Sequence, residues 1–292
     1  MCKILVIHTG GTIGMAPGPE GLSPAPGLLE AALHSIAPEG VTLEVVSFAP
    51  LLDSADIGPA HWNQMIDPIA AALRGDAAGL CGAIITHGTD TMSYTGAALE
   101  AALAGCPVPV VLCGAMVPLG MGGDAEANLA LALELAQSAA PGVWLAFAGK
   151  QMQAGAVIKV QSHAADAFRE VPDVPQVDSP FGPRRFTPRE LAILTLTPGL
   201  SATALTAMLA PLEGAVLRVF GSGTMRDDPA LACALAAAIQ RGCKLVAVSQ
   251  CEAGGLEPGT YAAGAALWRA GVINGGTLTP EAALTRLWLG LL

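Results

Sequence analysis

Charged side chains are scarce in this chain, at 13% of its 292 residues, while 52% are hydrophobic. That balance excludes a disordered chain and implies a globular protein with a substantial core. Positive charge is scarcer than negative. Fourteen Lys and Arg stand against 24 Asp and Glu, a formal net charge of -10, which argues against nucleic acid or an anionic membrane surface as a partner. Sparse charge beside abundant Ala and Gly also suggests that a partner subunit covers some apolar surface. No apolar run reaches the roughly 18 residues that span a bilayer. The chain begins directly on a strand, so no signal peptide is expected and a cytoplasmic protein is.

The seven cysteines show no CxxC or CxxH spacing, and His8, His34, His61, His87 and His163 show no metal-ligand spacing. No metal site is expected. Cys81, Cys106, Cys113, Cys233, Cys243 and Cys251 lie in apolar surroundings and read as reduced buried thiols rather than a disulfide framework. Cofactor fingerprints are missing too. Gly10, Gly11 and Gly14 do not make GxGxxG, and no acidic residue ends the second strand, Val45-Val46-Ser47-Phe48. That argues against a dinucleotide site. The turn has no lysine for a phosphate-binding loop, and no GxSxG elbow exists. No cofactor is expected.

What the chain does have is two similar stretches. Ala83 to Thr86 is an apolar strand running into His87-Gly88-Thr89-Asp90-Thr91, with a helix predicted from about Thr91 to Leu103. Ile and Thr favour extended backbone, and glycine admits a turn that a side chain would block. Thr89 or Asp90 suits the helix N-cap, since either can accept orphan amide hydrogens. Lys3 to Thr9 is a second strand of this kind, ending in Thr9-Gly10-Gly11-Thr12. Each places hydroxyls and backbone N–H groups at the C-terminal end of a strand, where open α/β sheets bind ligands. If the two strands are neighbours, Thr12 and Thr89 meet over one pocket. A threonine hydroxyl becomes nucleophilic only when a positioned base takes its proton. Lys159 as base, Asp90 holding it, and Thr89 relaying a proton from water would form such a system. The N–H groups of Gly11 and Thr89 are candidates for an oxyanion hole. The residues point to acyl transfer at a carboxamide or ester.

The remaining elements fit an α/β fold. Met15 to Pro26 is rich in Gly and Pro and reads as a mobile loop, a lid candidate. Strand 41–48 leads into a third polar strand-end, Pro50 to Ile57. A helix over 59–74 carries Pro68, expected to kink or interrupt it. A strand over 107–113 ends at Ala115, and Asp124 is expected to cap the next helix. This βαβα order predicts a larger N-terminal doubly wound, mostly parallel sheet over residues 1–176. A Pro-rich linker is expected over 177–189 and a smaller α/β domain over 190–292, with a helix from Gly259 to Ala270. His8 and His87 read as buried structural groups.

These stretches resemble the bacterial-type L-asparaginases, most closely the type I, cytoplasmic branch. The resemblance rests on Thr9-Gly10-Gly11-Thr12-Ile13-Gly14 and His87-Gly88-Thr89-Asp90-Thr91-Met92. Pro50 to Ser54, Ile158-Lys159 with Asp166 to Phe168, and Tyr261 to Gly264 with Ala270 to Ile273 add to it. It implies that Thr12 attacks the side-chain amide of L-asparagine and that water activated by Thr89, Asp90 and Lys159 releases aspartate. It implies a substrate site of Gly11, Ser54, Ala55, Asp56, Thr89, Asp90 and Ala115, with Ser54 binding the α-carboxylate and Asp90 the α-amino group. It also implies a homodimer or dimer of dimers, in which a partner subunit brings Thr224 and Glu252 or Glu257 to the site.

The chain departs from the family pattern at several points. Leu22 stands where the family usually carries a lid tyrosine, and Tyr94 and Tyr261 are the only tyrosines. Ala55 replaces a hydrogen-bonding residue, and Thr224 an asparagine, changes that would admit L-glutamine. Arg218 and Cys251 match the family's allosteric site, but Ile158 replaces a polar residue there. A non-catalytic amino-acid-binding homologue is the alternative that Leu22 and Ala55 suggest.

Overall fold

The computed structural model describes residues 2–19, 21–75 and 79–292. The chain divides into two compact units: residues 1–170 with 176–186, and residues 171–175 with 187–292.

The first unit is built on β1 (Cys2–Gly10), with the hairpin β2 (Met15–Gly18) and β3 (Gly21–Pro24), then α1 (Leu28–Ile36), β4 (Val41–Leu52) and α2 (Pro59–Arg74). There follow β5 (Leu80–Thr86), α3 (Met92–Ala102), β6 (Pro109–Cys113), α4 (Ala125–Ser138), β7 (Gly142–Phe147), β8 (Lys150–Gln153), β9 (Val157–Lys159) and β10 (Phe168–Glu170). The main sheet has the order β4-β1-β5-β6-β7-β8. Its first five strands run parallel, and β8 joins antiparallel to β7. Central strands of such a sheet are covered on both faces, hence the near-continuous apolar runs of β1 and β5. Ile4, Val6, Ile84 and Val111 pack on one face with Leu29 and Leu33 of α1 and Leu129, Ala132 and Ala136 of α4.

β1 lies between β4 and β5, so the two threonine-bearing strand-ends are neighbours. Two expectations fail among these elements, and Pro68 does not interrupt its helix. The stretch 15–26 forms a ladder pairing Met15 with Pro24 and Pro17 with Leu22; Glu20 lies outside the described residues. Proline forbids a helix there but is tolerated in a strand with no further neighbour. Helix α2 continues through Pro68. Cys2 and Cys81 form a disulfide, their Cα atoms 5.6 Å apart where β1 and β5 begin side by side. Their separation of 79 residues hides that proximity in the sequence. Cys233 and Cys251 are exposed, and Cys106, Cys113 and Cys243 are buried thiols as expected.

The Pro-rich stretch is tied down on both sides of residue 186. Val177 N–H donates to Glu100 Oε1 at 2.7 Å, and Arg184 N–H to Ala102 O at 3.0 Å, both on or beside α3. Arg189 pairs with Glu213 in the second unit.

The second unit holds β11 (Leu191–Thr195), α5 (Ala202–Leu209), β12 (Gly214–Val219), α6 (Pro229–Gln240), β13 (Lys244–Ser249), α7 (Ala265–Arg269), β14 (Ile273–Asn274) and α8 (Pro280–Trp288). Its strands form a parallel sheet in chain order. Residues 259–270 do not form one helix. Gly264 ends a short 3-10 turn, 262–264, and α7 supplies only five residues. No helix of the described residues is long and apolar enough to cross a membrane.

Candidate active site

Parallel pairing brings the C-terminal ends of β4, β1, β5 and β6 to one edge of the sheet. Gly11 sits against the β5 turn so closely that a β-carbon there would stand 2.3 Å from the Gly88 nitrogen and 2.5 Å from its Cα. Gly88 in turn faces Ser54, whose Oγ would be 2.6 Å from a β-carbon at 88. Thr91 Oγ1 donates to Ser54 O at 2.6 Å, and His87 N–H donates to Cys113 O at 2.9 Å. Thr12, Ser54, Thr89 and Ala115 therefore stand on four turns that touch or bond one another.

Lys159 comes to this edge from β9. Its Nζ donates to Thr89 Oγ1 at 2.9 Å and to Asp90 Oδ1 at 2.6 Å. The lysine side chain is only 15% exposed and that of Asp90 71%. Thr89 is buried. A hydroxyl, a lysine amino group and a solvent-facing carboxylate thus form one hydrogen-bonded group. The strand-end pattern pointed to Thr89 and Asp90, while Lys159, 69 positions from Asp90, was expected from chemical need and the family resemblance.

The expected helix cap is different. Thr91 holds the N-cap position of α3, and no side chain caps it. Thr89 and Asp90 are engaged by Lys159 instead. Asp124 likewise makes no cap bond to α4. Its carboxylate accepts from Met116 N–H and Val117 N–H, each at 3.0 Å. Asn128 Nδ2 donates to Gly114 O at 3.0 Å, and its Oδ1 accepts from Ala148 N–H at 2.9 Å. Asp124 and Asn128 therefore clamp both sides of Ala115. Sequence reasoning missed this because Asp before a helix is a cap by default, and only the loop's return brings competing donors to it.

One of the two expected oxyanion donors is engaged elsewhere. Gly11 N–H donates to Leu52 O at 3.1 Å, so it is engaged within the sheet edge. Gly11 O accepts from Gly14 N–H at 3.1 Å. Because C=O and N–H of a trans peptide point opposite ways, Thr12 N–H points away from Gly14.

Ser54 is buried, and Ala55 and Asp56 are exposed in a single turn capped by Asp53, which accepts from Ala55 N–H at 2.9 Å. Leu22 on the β2–β3 hairpin is 47% exposed. In the second unit, Ser249 Oγ donates to Gly221 O at 2.7 Å and Glu257 N–H to Ser222 O at 2.9 Å. Thr224, Glu252 and Glu257 thus lie around the C-terminal ends of β12 and β13. Arg218 on β12 donates to Gln250 O at 3.5 Å, and its Nε is buried with no partner among the described residues.

His8 and His87 are buried, as expected. His8 Nδ1 lies 2.7 Å from Thr86 Oγ1. Burial lowers the pKa of His87 to about 4, opposed by its bond to Gly88. The folded protein therefore holds His87 neutral while the unfolded chain protonates near 6.5. That stabilisation is complete above 6.5 and declines as pH falls toward 4, by about 3 kcal/mol over the interval. Denaturant unfolding at fixed protein concentration should show wild type losing about that much more than His87→Asn. Parallel pH profiles for the two proteins would contradict it. No group of three or more His, Cys, Asp or Glu fit to hold a metal occurs among the described residues.

Residues 3–179 match the family described as "Asparaginase, N-terminal", and residues 190–292 match "Glutaminase/Asparaginase C-terminal domain". The chain is 32% identical to L-asparaginase 1 of Escherichia coli K12, covering 98% of this chain and 90% of that protein. It superposes on the thermostable L-asparaginase of Thermococcus kodakarensis with a TM-score of 0.86 and 31% identity, covering 99% of this chain and 92% of that one. For L-asparaginase I of Vibrio cholerae the TM-score is 0.83 and the identity 32%, with 99% and 92% covered.

Proposed function

The chain belongs to the asparaginase family, and from that footing we propose that it hydrolyses L-asparagine to L-aspartate and ammonia through a threonine ester. The observation that carries the reading is the contact of Lys159 with both Thr89 and Asp90 beside the Gly11–Gly88 junction. Thr12 Oγ attacks the amide carbon, the C–N bond breaks, and ammonia leaves with the threonine proton. Water then attacks the ester. Thr89 takes its proton and passes one to Lys159, while Asp90 holds the resulting ammonium. Aspartate leaves as the Lys159 ammonium returns its proton through Thr89 to the Thr12 oxygen, which restores both the hydroxyl and the neutral amine. The N–H groups of Thr12 and Thr89 face the developing oxyanion.

In this reading residues 1–176 carry the chemistry. Ser54 and the turn through Ala55 and Asp56 take the α-carboxylate end, Asp90 the α-amino group, and Ala115 contributes backbone. Residues 190–292 complete the site and the oligomer interface. The enzyme works as a homodimer or dimer of dimers, with Thr224, Glu252 or Glu257 reaching a neighbouring subunit's site. Their grouping at one corner of the second unit supports this. A cytoplasmic setting belongs to the same proposal and rests on the likeness to L-asparaginase 1, and the Cys2–Cys81 disulfide stands against it.

Ala55 and Thr224 favour a second substrate, L-glutamine, since neither fills space or demands a bond as a larger amide side chain would. A coupled ammonia assay with both amides decides between them. We expect steady release from asparagine and a kcat/KM for glutamine about 10–100-fold lower. Ligand-induced thermal stabilisation without ammonia release would instead identify a binding homologue.

A further inference from the structure

Beneath the β5 turn runs a buried hydrogen-bond chain that none of these roles uses. Trp62 Nε1 of α2 lies 3.0 Å from Thr95 Oγ1 of α3. Thr95 Oγ1 lies 2.8 Å from His87 Nε2, and His87 Nδ1 lies 2.6 Å from Gly88 O. Trp62 is 4% exposed, Thr95 and His87 0%. Chemistry at the two ends sets the direction of every bond. An indole N–H only donates, and a carbonyl only accepts. His87 must therefore carry its proton on Nδ1 and present a lone pair at Nε2. Thr95 accepts from Trp62 and donates to that lone pair. One tautomer of a neutral imidazole satisfies the whole chain.

The far end of the chain is a peptide group of the site. The Gly88 carbonyl and the Thr89 N–H belong to the same peptide plane and point in opposite directions. Holding the carbonyl toward the buried histidine turns the Thr89 N–H away from it. Glycine at 88 leaves that peptide free to rotate, so something outside the turn has to choose its orientation. The Gly11 carbonyl is held in a comparable way by Gly14 N–H.

We propose that His87 is a positioning residue for the hydrolysis. Its Nδ1–H bond to Gly88, locked by Thr95 and Trp62, aims the Thr89 amide at the oxyanion. The inference rests on the amidase reading of the preceding subsection. It assigns a task to a histidine that touches neither substrate nor the reacting atoms. The cost of losing it is that of a misaimed oxyanion donor, roughly 10²-fold in rate.

Two measurements test it. The first uses wild-type enzyme without substrate, histidine-labelled with ¹⁵N, the His87 signal being identified by its loss in His87→Asn. A neutral Nδ1–H tautomer is expected at pH 7; an Nε2–H tautomer or an imidazolium overturns the relay. The second compares His87→Asn with His87→Gln. The Asn amide nitrogen stands near the place of Nδ1, and that of Gln near the place of Nε2. Both are polar and similarly sized, so a purely structural role treats them alike. We expect kcat on asparagine to fall roughly 10²-fold in His87→Gln and less than about 10-fold in His87→Asn, with aspartate affinity within about 3-fold in both. Equal kcat values for the two folded variants would overturn the proposal. Thr95→Ser should retain more kcat than Thr95→Val, because only serine restores the donor; equal loss counts against the relay. Wild-type enzyme with the expected tautomer but no ammonia release would sink the amidase reading instead, so the two failures are separable.

Discussion

Thr12→Ala is expected to abolish ammonia release from asparagine, and Thr89→Val and Lys159→Met each to lower kcat by about 10²–10⁴-fold. The second pair follows most directly from the geometry. Lys159 Nζ bonds Thr89 and Asp90 at 2.9 and 2.6 Å, so removing either Thr89 or Lys159 breaks the same proton path. Groups that act as one unit are strongly non-additive. The double variant Thr89→Val with Lys159→Met should therefore be about as slow as either single one. Thr12→Ala removes the nucleophile and leaves the path intact, so it should still bind aspartate. Steady-state kcat on all four proteins, with aspartate affinity by calorimetry, makes the comparison. Multiplying losses in the double variant would separate Thr89 from Lys159, and unchanged turnover in Thr12→Ala would remove the threonine ester from the mechanism.

Gly11→Ala should damage stability and rate together. Its added β-carbon would meet the Gly88 nitrogen at 2.3 Å, the Gly88 Cα at 2.5 Å and the His87 carbonyl carbon at 2.7 Å, all backbone atoms that no rotamer change moves. The residue also has φ of +80°, which costs an L-residue about 1–2 kcal/mol. Adding overpacking of about 1–3 kcal/mol gives a loss of roughly 2–5 kcal/mol in all. Gly40 supplies the control, with φ also +80° and nothing among the described residues within 4 Å of a β-carbon. Gly40→Ala should lose only the backbone share, about 1–2 kcal/mol. If Gly11→Ala folds, the two strand-ends must move apart, and a displacement near 1 Å costs about 10²-fold in kcat. Denaturant midpoints and kcat of both variants check this; equal destabilisation by the two would mean that the junction is not tight.

Much of the site was legible in the chain because parallel α/β sheets gather their strand-ends at one edge. The residue types at 9–12, 50–56 and 86–91, with strand boundaries read from apolar runs, suffice to place hydroxyls and amides there. Lys159 is a harder case. Nothing local marks it, and the expectation rested on chemical need and family resemblance. The misreadings share one cause. Thr89, Asp90 and Asp124 each sit where short polar side chains cap helices, yet each is claimed by a partner from elsewhere: Lys159 for the first two, the 116–117 amides for the third. Gly11 N–H, a candidate oxyanion donor by its place in a turn, is taken by Leu52 O on the neighbouring strand. Cys2 and Cys81 meet only because β1 and β5 are adjacent.

By itself, the order of residues determined the α/β class and the chemical kinds available at the sheet edge. Both follow from periodicity, composition and side-chain chemistry, which act along the chain. Which donor serves which acceptor was decided only by the tertiary structure. Nearly all buried polar groups find a partner, and the partner that wins is the one the fold brings within about 3 Å, however many residues away it lies.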